Sequence, residues 1–299
     1  MATAELTPDD YAPRHDVPIG GRSGFTVVED RQVHYLEWGT VRAPNVLCLH
    51  GGGQTAYMFE ELGAALASKY HVLAPDLPSH GDSDPIDDVG GDRHALAGGI
   101  APLFDAFGIA PAVVVGASLG GITAITMAAA RPELVDGIVL IDIGHRLEEE
   151  GVKKIIEFLR AHDSFASLED AAAHISTYLP HRKEVRPESL TRNLRQRADG
   201  RWVWKHGMGR RFRDEPEEMP DWRNILEGLA EDASSLQCPV LVLRGGKSDV
   251  LSDQGATEVA ELIPDSRLRT VANAGHLAAG GNPESTVGLI KTFLDEIGW

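Results

Sequence analysis

Val113-Val114-Val115-Gly116-Ala117-Ser118-Leu119-Gly120-Gly121 joins a β-branched apolar run to a helix-compatible run ending near Met127-Ala128-Ala129-Ala130. The change from an unbroken apolar run to a helical pattern predicts a buried strand, a tight turn and a helix. Ser118 falls in the turn, fenced by Gly116 and Gly120 two residues to either side. A residue held in such a turn has strained backbone geometry, and its flanking positions must carry almost no side chain. The helix behind it aims free N–H groups and its positive dipole end at the turn, where an anion would be stabilised. Taken alone, the pattern is also that of a glycine-rich turn with an ordinary serine.

Outward from this point, strands and helices alternate. Phe25–Val28 and Gln32–Trp38 read as a hairpin, followed by strands at Asn45–Leu49, His71–Pro78, Val113–Ala117, Gly137–Asp142, Pro239–Leu243 and Leu268–Val271. Helical patterns are expected after residue 54, over residues 92–108, and from about 284 to 297. Such alternation implies an α/β fold, a doubly wound and mostly parallel eight-stranded sheet. Between about Gly144 and Gln237 the alternation stops. Helical patterns at 152–161, 168–179, 188–198 and 224–230 suggest an inserted helical cap. The expected division is a core part over 1–144, a cap over 145–235 and a second core part over 236–299. A long disordered loop fits poorly, since Trp202, Trp204 and Trp222 all fall there.

The 299-residue chain has a formal net charge of -17, which argues against nucleic acid or an anionic membrane as partner. A small-molecule substrate is expected, and the oligomeric state is left open. No apolar run approaches the roughly 18 residues of a membrane span. The amino terminus has neither a basic start nor an apolar stretch, unlike a secretory signal. Cys48 and Cys238 each sit in an apolar run, as core thiols of a cytoplasmic protein would. No His/Cys/Asp cluster has zinc spacing and no phosphate loop is present, so neither a metal nor a cofactor is expected.

In a doubly wound sheet, functional groups collect beyond the carboxyl ends of the strands. His50, Ser118, Asp142 and Asp249 all follow strands. An alcohol needs a base to become a nucleophile, and the base needs a carboxylate to orient it. His276, in the small-residue loop after the last strand, is the expected base. Asp249, delivered by the Gly245-Gly246 turn, is the expected acid, with Asp142 as its rival. His50 and His80 sit in glycine turns and are expected to hold loops. Oxyanion donors are expected from the amides of Leu119 and of Gly52 in His50-Gly51-Gly52-Gly53. Gly53, Gln54, Met58, Trp202, Trp204, His206 and Met208 are candidates for the substrate pocket, the tryptophans being equally readable as the core of the cap.

From about residue 25 onward the chain resembles the capped α/β hydrolases of the esterase, C–C hydrolase and cofactor-free haloperoxidase branch. The matching pieces are Leu49-His50-Gly51-Gly52-Gly53, Asp76-Leu77-Pro78-Ser79-His80-Gly81-Asp82-Ser83-Asp84, Gly116-Ala117-Ser118-Leu119-Gly120-Gly121, the turn to Asp249, and Gly275-His276. The resemblance implies a nucleophile elbow at Ser118, a Ser118–His276–Asp249 triad and an acyl-enzyme. Ser118 argues against the epoxide hydrolases and haloalkane dehalogenases of this group, which use an aspartate there. Gly53-Gln54-Thr55 departs from the Gly-Pro-Gly continuation usual in ring-cleavage C–C hydrolases. Ser79 replaces a frequent glycine. Hydrolysis of a small to medium carboxylic ester or lactone is the leading expectation. C–C or amide hydrolysis, perhydrolysis, and a ligand receptor on the same fold remain as alternatives.

Overall fold

β1 (Arg22–Val28) and β2 (Arg31–Trp38) form an antiparallel hairpin, and β2 in turn pairs antiparallel with β4 (His71–Pro75). The other neighbours run parallel: β4 with β3 (Asn45–Leu49), β3 with β5 (Ala112–Ala117), and β5 with β6 (Val135–Ile141). The structure, a computed structural model, describes residues 18–86, 92–178, 185–208 and 222–299. The amino-terminal arm read above lies outside these residues. β7 (Leu194–Gln196) and β8 (Trp202–Trp204) form a separate two-stranded antiparallel ribbon. β9 (Val240–Gly245) and β10 (Ser266–Val271) complete the main sheet, whose order is β1-β2-β4-β3-β5-β6-β9-β10. This is the eight-stranded, mostly parallel sheet that the alternating pattern implied.

The apolar strands are apolar throughout because both faces are covered. Leu47, Leu49, Val114, Ile138, Leu140 and Val242 pack on one face, with the helices Arg93–Ile100, Leu119–Ala130 and Asp253–Leu262. Val46, Cys48, Val113, Val115, Val139 and Leu241 pack on the other, under Glu60–Leu66 and Pro283–Glu296. Burying each such side chain fully stabilises the fold by roughly 1.5–3 kcal/mol. Both cysteines are free and buried. Burial pushes both thiols up, Cys238 to about 11.

The segment between β6 and β9 meets the helical expectation in part, the pattern at 224–230 being broken at Gly228 into the helices Trp222–Leu226 and Leu229–Ser234. Helices Glu149–Arg160 and Leu168–Tyr178 form as expected. Residues 188–198, expected as a helix, form instead a short 3-10 turn, Pro187–Arg192, followed by β7. The alternation Trp202-Val203-Trp204 favours a strand, and Gly200 at φ 82 closes the connection between β7 and β8. Phe165, Ala171, Ile175, Leu190 and Leu194 form a small core of their own, with Trp202 and Trp204 against it. The segment is tied to the sheet by ion pairs. Lys205 Nζ lies 2.8 Å from Asp82 Oδ2, and Arg192 takes both carboxylate oxygens of Glu60. Among the described residues, no helix is long and apolar enough to cross a membrane.

Candidate active site

The register of the sheet places the ends of three neighbouring strands side by side. Ala117 pairs with Ile141, and Ile141 with Leu243, so Ser118 and Asp142 leave adjacent strands at the same level. Ser118 is held at φ 48, ψ −114, in the left-handed half of backbone space that non-glycine residues seldom enter. The two flanking glycines make this possible. A Cβ on Gly120 would lie 2.0 Å from the Leu49 carbonyl oxygen, and one on Gly116 would lie 2.5 Å from that of Gly120. The turn is therefore packed backbone on backbone.

His276, on the loop that follows β10, reaches across to both strands. Its Nε2 lies 3.2 Å from Ser118 Oγ and its Nδ1 lies 2.8 Å from Asp142 Oδ2. An ionised carboxylate can only accept, so Nδ1 carries the proton and the Nε2 lone pair faces the serine. The carboxyl of Asp142 is fully buried, and two further donors hold it: the Gly245 amide at 2.7 Å on Oδ1 and the Ser248 hydroxyl at 2.5 Å on Oδ2. A serine, an imidazole and a carboxylate thus form one continuous hydrogen-bonded chain.

The carboxylate that meets His276 is Asp142 and not the expected Asp249. Asp249 has a half-exposed side chain whose carboxylate pairs with Lys154 Nζ at 2.8 Å. The turn after β9 accounts for the difference. Ser248 N–H donates to Gly245 O, while Gly246 and Lys247 N–H donate to Val271 and Ala274 O. These bonds turn Ser248 towards Asp142 and send Asp249 out towards the helix Glu149–Arg160. Asp249 still lines the cavity above the serine, but through that outward pair.

The loop after β3 is locked from below. His50 donates through Nδ1 to Gly51 O at 2.8 Å and accepts the Leu77 amide at Nε2. His80 donates through Nδ1 to Pro78 O and accepts the Gly53 amide at 3.1 Å. Burial pushes His50 down to about 4 and also lowers His80, so both rings are neutral at pH 7. Asp76 anchors both loops. Its carboxylate accepts the Ala56 and Asp82 amides and His34 Nδ1–H. Burial pushes its carboxyl up, but the His34 ring, the nearby His50 and the Ala56 amide hold it below the usual carboxylate range. Gly52 and Leu119 line the cavity with Ser118 and His276. Among the described residues no protein acceptor takes either amide. Leu119 is the first residue of its helix, where an N–H has no partner within the helix.

Above the serine lies a cavity of about 1240 Å³ between strand ends and inserted segment. Gly53, Gln54, Met58, Trp204 and Met208 line it. Trp202 and His206 do not. Trp202 bridges to Phe165 and packs in the segment's own core. His206 stacks on Trp204 with ring centroids 5.5 Å apart, and burial pushes it down to about 3. Sequence reasoning placed Gly245 only in a turn and missed both it and Ser248 as donors to Asp142. The only signal was their place in the strand-to-turn stretch that also holds Asp249.

Residues 44–283 match the family described as alpha/beta hydrolase fold. Esterase Rv0045c of Mycobacterium tuberculosis is 30% identical to this chain, over 90% of this chain and 88% of that protein. A 2-(acetamidomethylene)succinate hydrolase of Mesorhizobium japonicum is 28% identical, over 84% of this chain and 88% of its own length. The crystal structure of E-2-(acetamidomethylene)succinate hydrolase superposes with a TM-score of 0.79 over 92% of this chain and 99% of the other. At 23% identity that likeness is one of fold. With a strand-to-helix serine, a matching sheet and a match across most of its length, the chain belongs to the alpha/beta hydrolase fold family.

Proposed function

We propose that the protein hydrolyses carboxylic esters or lactones of small to medium size through an acyl-enzyme on Ser118, with His276 as base and Asp142 as its orienting acid. The observation that carries this reading is the unbroken chain Ser118 Oγ–His276 Nε2 and His276 Nδ1–Asp142 Oδ2 at the floor of the cavity. The similarity to an esterase supports it.

In the first step His276 Nε2 takes the Ser118 proton as Oγ bonds to the carbonyl carbon. The carbonyl oxygen becomes an oxyanion, held by the amides of Gly52 and Leu119; one such donor contributes on the order of 3 kcal/mol. Asp142 fixes the tautomer of His276 and stabilises its cation. As the ester C–O bond breaks, His276 hands its proton to the leaving alcohol oxygen. A water then loses a proton to His276 and attacks the acyl carbon, and the same proton returns to Ser118 Oγ as the acid leaves.

The test is hydrolysis of an activated short-chain ester by the purified protein and by Ser118→Ala. The variant is expected to fold and to lose the activity, and a fluorophosphonate probe is expected to label Ser118 in the parent alone. Full activity in Ser118→Ala would remove this mechanism. The similarity to a 2-(acetamidomethylene)succinate hydrolase, whose named substrate carries an acetamido group, favours a second reading, cleavage of an amide bond by the same three residues. Identifying the products from a panel of esters, lactones, amides and vinylogous diketones separates the two.

A further inference from the structure

Ser248 lies outside the cavity lining, yet it touches the carboxylate beneath His276. Its hydroxyl has one proton and two lone pairs. The amides of Val250 and Leu251 both donate to Oγ, at 3.1 and 3.2 Å. These two donors occupy the accepting side of the oxygen. The remaining direction, towards Asp142 Oδ2 at 2.5 Å, must carry the proton. The hydroxyl orientation is thus fixed by the backbone of its own turn.

We infer that Ser248 is a positioning residue of the proposed reaction, acting on His276 through Asp142. This rests on the ester-hydrolase reading above. Asp142 Oδ2 accepts from both Ser248 and His276, while Oδ1 is taken by the Gly245 amide. Three donors on two oxygens leave the carboxylate one orientation, and that orientation aligns the imidazole with Ser118. The shared oxygen also divides its charge. With the hydroxyl in place, Oδ2 draws the protonated ring less strongly than it would alone. Without it, the protonated ring is held more tightly and works as a base only at higher pH.

The other charged groups on the packed elements do not face this oxygen freely. Lys154 and Asp249 pair with each other, Arg146 after β6 pairs with Glu258, and Lys247 lies exposed at the cavity rim. His145, also after β6, makes no protein hydrogen bond through its buried Nδ1 among the described residues. Ser248 is therefore the neutral group placed to set the balance.

The test compares the parent with Ser248→Ala and Ser248→Thr, using an activated ester across pH and counting competent sites by fluorophosphonate titration. For Ser248→Ala, kcat per labelled site is expected to fall about tenfold, as loss of a hydrogen bond to a charged group implies. KM should stay unchanged, because the side chain does not line the cavity, and the acidic limb of kcat/KM should move to higher pH. Ser248→Thr, which keeps the hydroxyl, should restore both kcat and the limb. Should Ser248→Ala not fold, Ser248→Cys takes its place, with the same expected loss. An unchanged kcat and an unmoved limb per competent site would overturn the inference while leaving the hydrolase reading intact. Absence of ester hydrolysis and of Ser118 labelling in the parent would overturn that reading itself.

Discussion

His276 and Asp142 meet at 2.8 Å across 134 residues of sequence, one from the loop after β10 and the other from the end of β6. The contact is buried on both sides, with side-chain exposures of 7% and 0%. A pair shielded from water in this way has its geometry set by the strands that carry it.

Substitutions at the two candidate acids should therefore separate by orders of magnitude. Asp142→Asn leaves the shape of the site but offers an amide where a carboxylate orients the ring, and kcat is expected to fall about 10⁴-fold. Asp249→Asn breaks only an exposed ion pair with Lys154 and should change kcat by less than about threefold. Steady-state hydrolysis of one activated ester by both variants checks this. Equal losses would return Asp249 to the mechanism.

Stability should fall as the solution is made mildly acidic. His50 is pushed down to about 4 and His206 to about 3, both by burial, against an ordinary value of 6.5. Below pH 6.5 the unfolded chain binds protons at these rings that the folded chain refuses, so acid favours unfolding. The stabilisation is fully present above pH 6.5 and is lost as pH falls towards the folded values. Each histidine contributes up to about 1.4 kcal/mol per pH unit, an upper limit of about 2 kcal/mol apiece by pH 5. Urea unfolding at pH 8, 6.5 and 5 measures the slope. Constant stability from pH 6.5 to 5 would mean that these rings are not held neutral.

Two glycines should respond in opposite directions to alanine. At Gly120 the new Cβ would press into the Leu49 and His50 carbonyls at 2.0 and 2.8 Å, and no flexible side chain is there to yield. Gly120→Ala is expected to cost at least about 3 kcal/mol or to prevent soluble expression. Gly98, within the helix Arg93–Ile100, has open space around its Cβ position, and Gly98→Ala should stabilise by roughly 0.5–1 kcal/mol. Thermal melts of the two variants decide the matter.

Much of this architecture could be read from residue patterns because its signals were local. An unbroken run such as Val113-Val114-Val115 can only be a covered strand in a chain of this composition, and the flanking glycines of Ser118 follow from backbone crowding at one turn. The acid was a different kind of question. Asp142 and Asp249 both leave adjacent strands at the same edge, and the choice rests on hydrogen bonds from Gly246 and Lys247 to Val271 and Ala274. Val271 ends another strand and Ala274 lies in the loop beyond it, so no pattern around Asp249 announces them. The same limit applies to residues 188–198, where a helical spacing was overridden by pairing of β7 with the tryptophan strand β8. His50 and His80 show the converse, since their place in glycine turns sufficed to mark them as loop holders.

The imidazole proposed to take the Ser118 proton comes from a loop that follows β10, the strand docked beside β9. Until that late strand arrives, the hydroxyl has no imidazole within reach, however well the turn around it has formed. On the proposed mechanism, a half-made molecule would thus be chemically silent towards acyl compounds during synthesis. Reactivity would switch on with the last strand of the sheet, making turnover a report that the whole sheet has closed.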